Sequence, residues 1–201
     1  MTTAFQRVAV LAIGLVAFAA LPARAEAPLR LAASWLELLH GGSSAGTPLP
    51  AAAWKRLEAA TWIADGSAKA PRVVYVFTDP NCPLCSRFWS DARPWVDSGK
   101  VQLRHVLVAV IDETSAPKAA ALLSAKDPSA ALVRYETHHA GAIAAPVDGA
   151  LRRKLDANES LMHDFGAPGT PAIVYRDASS VIRRFDGAPP EEMLRTILGP
   201  R

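Results

Sequence analysis

Residues 73–89 read VVYVFTDPNCPLCSRFW. The first six, Val73 to Thr78, are β-branched or aromatic and almost wholly apolar. That is the pattern of a strand covered on both faces at the centre of an α/β sheet. Asp79-Pro80-Asn81 is a turn whose polar side chains can cap a helix. The helix is expected to start at Cys82 and to run to Trp95 or Val96, with a bend at Pro94. Ser98-Gly99 ends it, and VQLRHVLVAVI, Val101 to Ile111, reads as the next long strand.

Working outward, Ala51 to Ala60 is helix-like, with Trp54 and Leu57 at helical spacing. Thr61 to Ala64 reads as a short strand ended by the Asp65-Gly66 turn. Beyond the long strand, about Ser115 to Phe165, the chain is alanine-rich and broken by Pro117, Pro128 and Pro146. It fits an all-helical insertion between two halves of a sheet. Ala172–Asp177 and Val181–Gly187 look like a hairpin around Ala178-Ser179-Ser180. Pro190 opens a last helix with Glu191 and Glu192 in its first turn, as the helix dipole favours. The order is strand, Cys-x-x-Cys helix, strand, helices, hairpin, helix. It defines an α/β, thioredoxin-like arrangement: a central mixed sheet, Cys-x-x-Cys at a helix N-terminus and a helical insertion.

The N-terminus sets the compartment. Arg7 precedes an apolar run from Val8 to Leu21, followed by the small-x-small pattern Ala23-Arg24-Ala25. These are the parts of a secretory signal peptide over residues 1–25. The run is shorter than the roughly 20 residues a membrane span needs. Removing it takes away Arg7 and Arg24, so the net charge falls from +3 to +1. No field that would attract nucleic acid or a membrane surface remains. Residues 26–53 read as a lead-in: a short helix with Trp35, Leu38 and Leu39 on one side, then the Gly-, Ser- and Pro-rich stretch HGGSSAGTPLP. The thioredoxin-like domain is expected over 54–201.

Cys82 and Cys85 are the two cysteines of this 201-residue chain. An exported protein meets an oxidising compartment where a disulfide persists. A Cys82–Cys85 bridge would close a very small loop, which stabilises a fold least, so a structural staple is a poor reading. A thiol at a helix N-terminus, by contrast, faces unpaired backbone N–H groups that favour the thiolate. Cys82 is thus the expected nucleophile and Cys85, one turn on and more buried, the resolving thiol of a redox disulfide. Pro83 and Leu84 between them are expected to tune the thiolate. Thr170-Pro171, before the hairpin, falls where such a sheet brings a loop to the cysteines. A cis-proline there would offer the Thr170 backbone to an extended substrate.

The stretches VVYVFTDPNCPLCSRFW, ARPWVDSGKVQLRHVLVAVI, AAALLSAKDPSAALVRYE and GTPAIVYRD carry a resemblance over roughly residues 54 to 199. The chain resembles the DsbC/DsbG family of periplasmic thiol:disulfide interchange proteins, the DsbG branch most closely. The resemblance implies Cys82 as nucleophile, Cys85 as resolving cysteine and Thr170-Pro171 as the cis-proline loop. It also implies action on exported cysteine-containing proteins, and a membrane reductase such as a DsbD-like protein as redox partner. The family carries an N-terminal dimerisation domain that about 25 residues after the signal peptide cannot hold, so a monomer is expected. Thioredoxin keeps a buried carboxylate six residues before its first cysteine, where this chain has Val76.

Two other uses of the same thiols stay open: reduction of sulfenylated single cysteines, and soft-metal (copper) binding. A holdase acting through an apolar groove is a third reading. No organic cofactor or metal is expected for thiol–disulfide exchange. His138-His139 point different ways on a helix and read as surface residues, His105 as a hydrogen-bonded strand residue, and Trp89 and Trp95 as core.

Overall fold

The computed structural model describes residues 46–138 and 143–201. The expected signal peptide, the helix around Trp35 and His139 lie outside the described residues. In chain order the elements are β1 (Thr47–Pro48), α1 (Ala52–Ala59), β2 (Ile63–Asp65), β3 (Arg72–Thr78), α2 (Pro83–Val96), β4 (Val101–Leu107), α3 (Ser115–Leu123), α4 (Pro128–His138), α5 (Gly149–Asp164), β5 (Ala172–Arg176), β6 (Ile182–Asp186) and α6 (Glu191–Leu198).

One sheet holds every described strand, in the order β1-β6-β5-β3-β4-β2. β3 and β4 run parallel, joined by α2, while β5 lies antiparallel to β3 on its other side. The sheet is therefore mixed. β3 is central, and Val74, Tyr75, Val76 and Phe77 are all buried, because alternate side chains meet different helical layers. Val74 and Val76 pack with Phe88 and Trp95 of α2 and Ile197 of α6. Tyr75 and Phe77 pack with Leu57 of α1 and Met162 of α5 on the opposite face. Ile63 and Leu107 are covered by the insertion through Ala119, Leu122 and Leu132.

Phe88 and Trp95 are completely buried, each contributing about 2–3 kcal/mol by removing apolar surface from water. Trp95 Nε1 also donates to the Gly199 carbonyl at 2.8 Å, tying α2 to the end of α6. Pro94 sits inside α2, which continues to Val96.

Two elements differ from the sequence reading. The long strand ends at Leu107, not Ile111. Val108 still donates to the Thr78 carbonyl at 3.0 Å. The Val110 and Ile111 amides instead donate to the Asp79 carboxylate, at 2.7 and 3.1 Å, which draws the chain off the sheet. Within the expected linker, Thr47 and Pro48 pair with Arg184 and Arg183 as a short edge strand. Gly46 just before them has φ 75°, and a Cβ there would meet the Arg184 carbonyl at 2.6 Å.

Candidate active site

The turn between β3 and α2 is built by hydrogen bonds from Asp79. Its Oδ1 accepts from the Asn81 amide at 2.8 Å, and its carbonyl accepts from the Cys82 amide at 2.9 Å. Cys82 then takes the N-cap position of α2, in extended backbone conformation, and Pro83 stands in the first turn where its missing N–H is not needed. The Cys82 sulfur accepts from the Cys85 amide at 3.3 Å. This is a helix N-terminus with a thiol in the capping role that Ser or Asp usually fills. Leu84 points outward and is 45 % exposed, whereas Cys82 and Cys85 are both buried, at 4 % and 3 % exposed, so Cys85 is not clearly the more buried of the two as expected.

Sheet register brings the second predicted piece here. Ala172 of β5 is paired with Phe77 of antiparallel β3, so the residues before Ala172 lie opposite those after Phe77. The Thr170–Pro171 peptide bond is cis. The Cys82 thiol donates to the Thr170 carbonyl at 3.3 Å. Cys82, Cys85, Thr170 and Pro171 thus meet at one end of the sheet, with Pro83 and Leu84 on the rim.

The two thiols are free and chemically unequal. The Cys85 thiol beside it, the Thr170 side chain and the first-turn N–H groups of Cys85 and Leu84 hold Cys82 down to about 6, against burial, which opposes charge. Burial above all, then the neighbouring Cys82 sulfur, push Cys85 far above the usual thiol range. Of the two sulfurs, the one at the helix N-terminus is thus the one the surroundings favour as a thiolate.

Sequence reasoning missed how the insertion supports this turn. Asp79 is buried, and its carboxylate is filled by four donors: the amides of Asn81, Val110 and Ile111 and the Ser115 hydroxyl. Asn81 Nδ2 donates to Asp112 at 2.8 Å, Thr114 at 2.8 Å and Ser115 at 3.0 Å, and Lys118 donates to Asn81 Oδ1. The Tyr135 hydroxyl of α4 donates to the Pro80 carbonyl at 2.6 Å. Every residue of the 79–81 turn is therefore bonded to the insertion. Asx-type turn chemistry at Asp79 was readable, but its long-range partners were not.

Beneath α2 lies a buried polar network. Asp65 accepts from Trp89 Nε1 at 2.8 Å and from the Arg93 guanidinium. His105 Nε2 stands 3.8 Å from the same carboxylate, and its Nδ1 meets the Thr78 hydroxyl at 3.0 Å. Burial alone would raise the Asp65 carboxyl, but His105 and Arg93 outweigh it and lower the group to about 2. Position 76, where thioredoxin carries its carboxylate, is apolar core, and His105 is its register partner on β4. Trp89 and Trp95 are buried, and His138 is exposed at the end of α4.

A cysteine sulfur capping a helix, a second buried thiol one turn on, and a cis-proline loop against the first sulfur define the thioredoxin class of dithiol site. The family model of the thioredoxin-like domain matches residues 59–199, and the chain belongs to that family. Among curated proteins it is 49 % identical over 157 residues to the thiol:disulfide interchange protein DsbG of Pseudomonas aeruginosa, covering 77 % of this chain and 61 % of that one. To DsbG of Escherichia coli it is 44 % identical over 149 residues, covering 73 % and 60 %. The chain thus spans about three fifths of these relatives' length. Two solved structures share the fold: ScsC of Proteus mirabilis in a transitional conformation (TM-score 0.61, 22 % identity, 85 % of this chain and 88 % of that one), and a disulfide interchange protein of Neisseria gonorrhoeae (TM-score 0.55, 22 % identity, 72 % and 99 %).

Proposed function

We propose that this chain is a periplasmic thiol:disulfide oxidoreductase of the interchange type, acting on exported cysteine-containing proteins. The observation that carries the reading is the placement of two buried thiols: the Cys82 sulfur caps the helix, 3.3 Å from the Cys85 amide and 3.3 Å from the Thr170 carbonyl, and is lowered to about 6, while Cys85 lies one turn on and is raised far above the usual thiol range. A nucleophile must be a thiolate at working pH, and a resolving thiol must wait.

In the proposed cycle the Cys82 thiolate attacks one sulfur of a substrate disulfide. A Cys82–substrate bond forms, the substrate bond breaks, and its electron pair leaves on the second substrate sulfur, which takes a proton from water. The mixed disulfide removes the charge from Cys82, and with it part of what holds the Cys85 proton. Cys85 then gives up that proton to water and attacks Cys82. The Cys82–substrate bond breaks, and its electron pair leaves on the substrate sulfur, which takes a proton from water. The Cys82–Cys85 disulfide forms and the substrate leaves as a dithiol, reduced by two electrons as the protein is oxidised. Attack by the freed substrate thiolate on another substrate sulfur would isomerise instead.

The Thr170-Pro171 loop supplies backbone for an extended substrate, and Pro83 and Leu84 adjust the thiolate. A dithiol donor of the DsbD type would return the pair to its reduced form, with the chain working as a monomer. The two DsbG relatives support the activity, and the expected signal peptide supports the compartment. The test is reduction of a peptide disulfide by the reduced protein. Replacement Cys82→Ser should abolish it, and continued reduction by that variant would contradict the mechanism.

A further inference from the structure

A polar stripe runs away from Cys82 along the outer side of α2. Ser86 lies one turn after Cys82, and Pro83, Arg87 and Ser90 succeed one another at steps of four and three, so all share one side of the helix. Cys85, Phe88, Trp89 and Ala92 fill the buried side. Together with Pro80 and Asn81, the stripe lines a groove of about 480 Å³ that opens at Cys82.

The groove has donors to spare. The hydroxyls of Ser86 and Ser90 bond no described residue. The Asn81 amide is already committed to the insertion and serves as wall. Apart from the Cys82 sulfur, Arg87 is the one charged side chain lining the groove, and it is 67 % exposed. Its pairing with Asp91 runs through Nε at 3.6 Å, longer than a hydrogen bond. Exposed pairs of this kind contribute about 0–1 kcal/mol. The guanidinium is therefore free to turn its terminal nitrogens to a carboxylate, which they match two to two.

Thr170 meets the Cys82 sulfur from the β5 side and is not part of the groove wall. An extended substrate lying along Thr170 and across the sulfur would continue into the groove. We propose that the groove holds the chain flanking the target cysteine, and that Arg87 selects exported proteins with Asp or Glu close to that cysteine. The inference rests on the exchange reading above and names the substrates that the same site prefers.

The test uses two peptides of equal length, each with a single cysteine as its mixed disulfide with 2-mercaptoethanol. In one the cysteine is flanked on both sides by aspartates, in the other by lysines. Release of the peptide thiol by the reduced protein is followed by chromatography. The acidic peptide should react about two- to fivefold faster at low ionic strength, the range an exposed ion pair supplies. The ratio should fall towards one as salt screens the charges. Arg87→Gln should bring the ratio near one, and Arg87→Glu should invert it. Equal rates in the native protein, or a preference that survives Arg87→Glu, would overturn the assignment while leaving exchange intact. If neither peptide reacts, the exchange reading fails and the assignment with it.

Discussion

The Thr170 carbonyl oxygen lies 3.3 Å from the Cys82 sulfur, across 88 residues of sequence. The antiparallel pairing of β5 with β3 sets that approach, since Ala172 opposite Phe77 fixes where the next residues fall. The Cys82 sulfur therefore sits between two backbones, its own helix N-terminus and the cis-proline loop.

Alkylation of the reduced protein should report one reactive thiol. With Cys82 at about 6, the rate should rise through a midpoint near that pH, and about nine tenths of the sulfur should be thiolate at neutrality. Cys85 should stay unmodified, since burial keeps it protonated. Thr170→Val removes one of the groups that lower Cys82, so the midpoint should move up towards an ordinary thiol. Ultraviolet thiolate absorbance against pH checks both statements.

The same depression makes stability depend on pH. A folded-state pKa below the unfolded one stabilises the reduced protein fully above the unfolded value, about 8.5, and the benefit is lost as pH falls through about 6. The size is at most about 3 kcal/mol by linkage. Urea unfolding of the reduced protein and of Cys82→Ser should show their difference shrinking across that window. A difference that stays constant would mean the thiolate is not stabilised by the fold.

Asp65 joins β2 to α2, accepting from both Trp89 and Arg93. Asp65→Asn removes the buried charge partner of Arg93 and leaves it only the exposed Asp97 carboxylate at 3.5 Å, which should cost about 3 kcal/mol at neutral pH. In the native protein Asp65 is lowered to about 2. Its contribution of about 2 kcal/mol should be whole above about pH 4 and fade as pH falls towards 2. The variant should lack that acid-side slope in urea titrations.

Tyr135→Phe removes the hydrogen bond from α4 to the Pro80 carbonyl. The expected cost is about 1 kcal/mol, concentrated in the turn that carries Cys82. Amide hydrogen exchange at Cys82, whose N–H is held by the Asp79 carbonyl, should speed up more than at β3. Uniform acceleration along the chain would mean that the insertion does not support the turn.

What the sequence made legible was what neighbours in the chain decide. The apolar run of β3, the Asp79-Pro80-Asn81 turn and the spacing of Cys82 and Cys85 lie within one short segment, and together they yield strand, cap and dithiol. Thr170-Pro171 was legible because a strand follows it directly. Partners far apart in the chain were not. Asp65 meets Trp89 and Arg93 across 24 and 28 residues, and nothing local in the Asp65-Gly66 turn announces a buried carboxylate. The Val101–Ile111 run looked like one strand because its apolar pattern continues past Leu107. The Asp79 carboxylate, which takes two of its amides, ends the strand. Thr47-Pro48 looked like linker because two residues carry no periodicity; their partner on β6 makes them a strand.

The central claim is that Cys82 attacks and Cys85 resolves. The most direct test is to replace Cys85 by Ser, express the full chain, and identify its covalent partners by mass spectrometry. The account expects exported cysteine-containing proteins joined through Cys82, lost when Cys82 is also replaced. Absence of any such partner, with Cys82 intact and free, would contradict it.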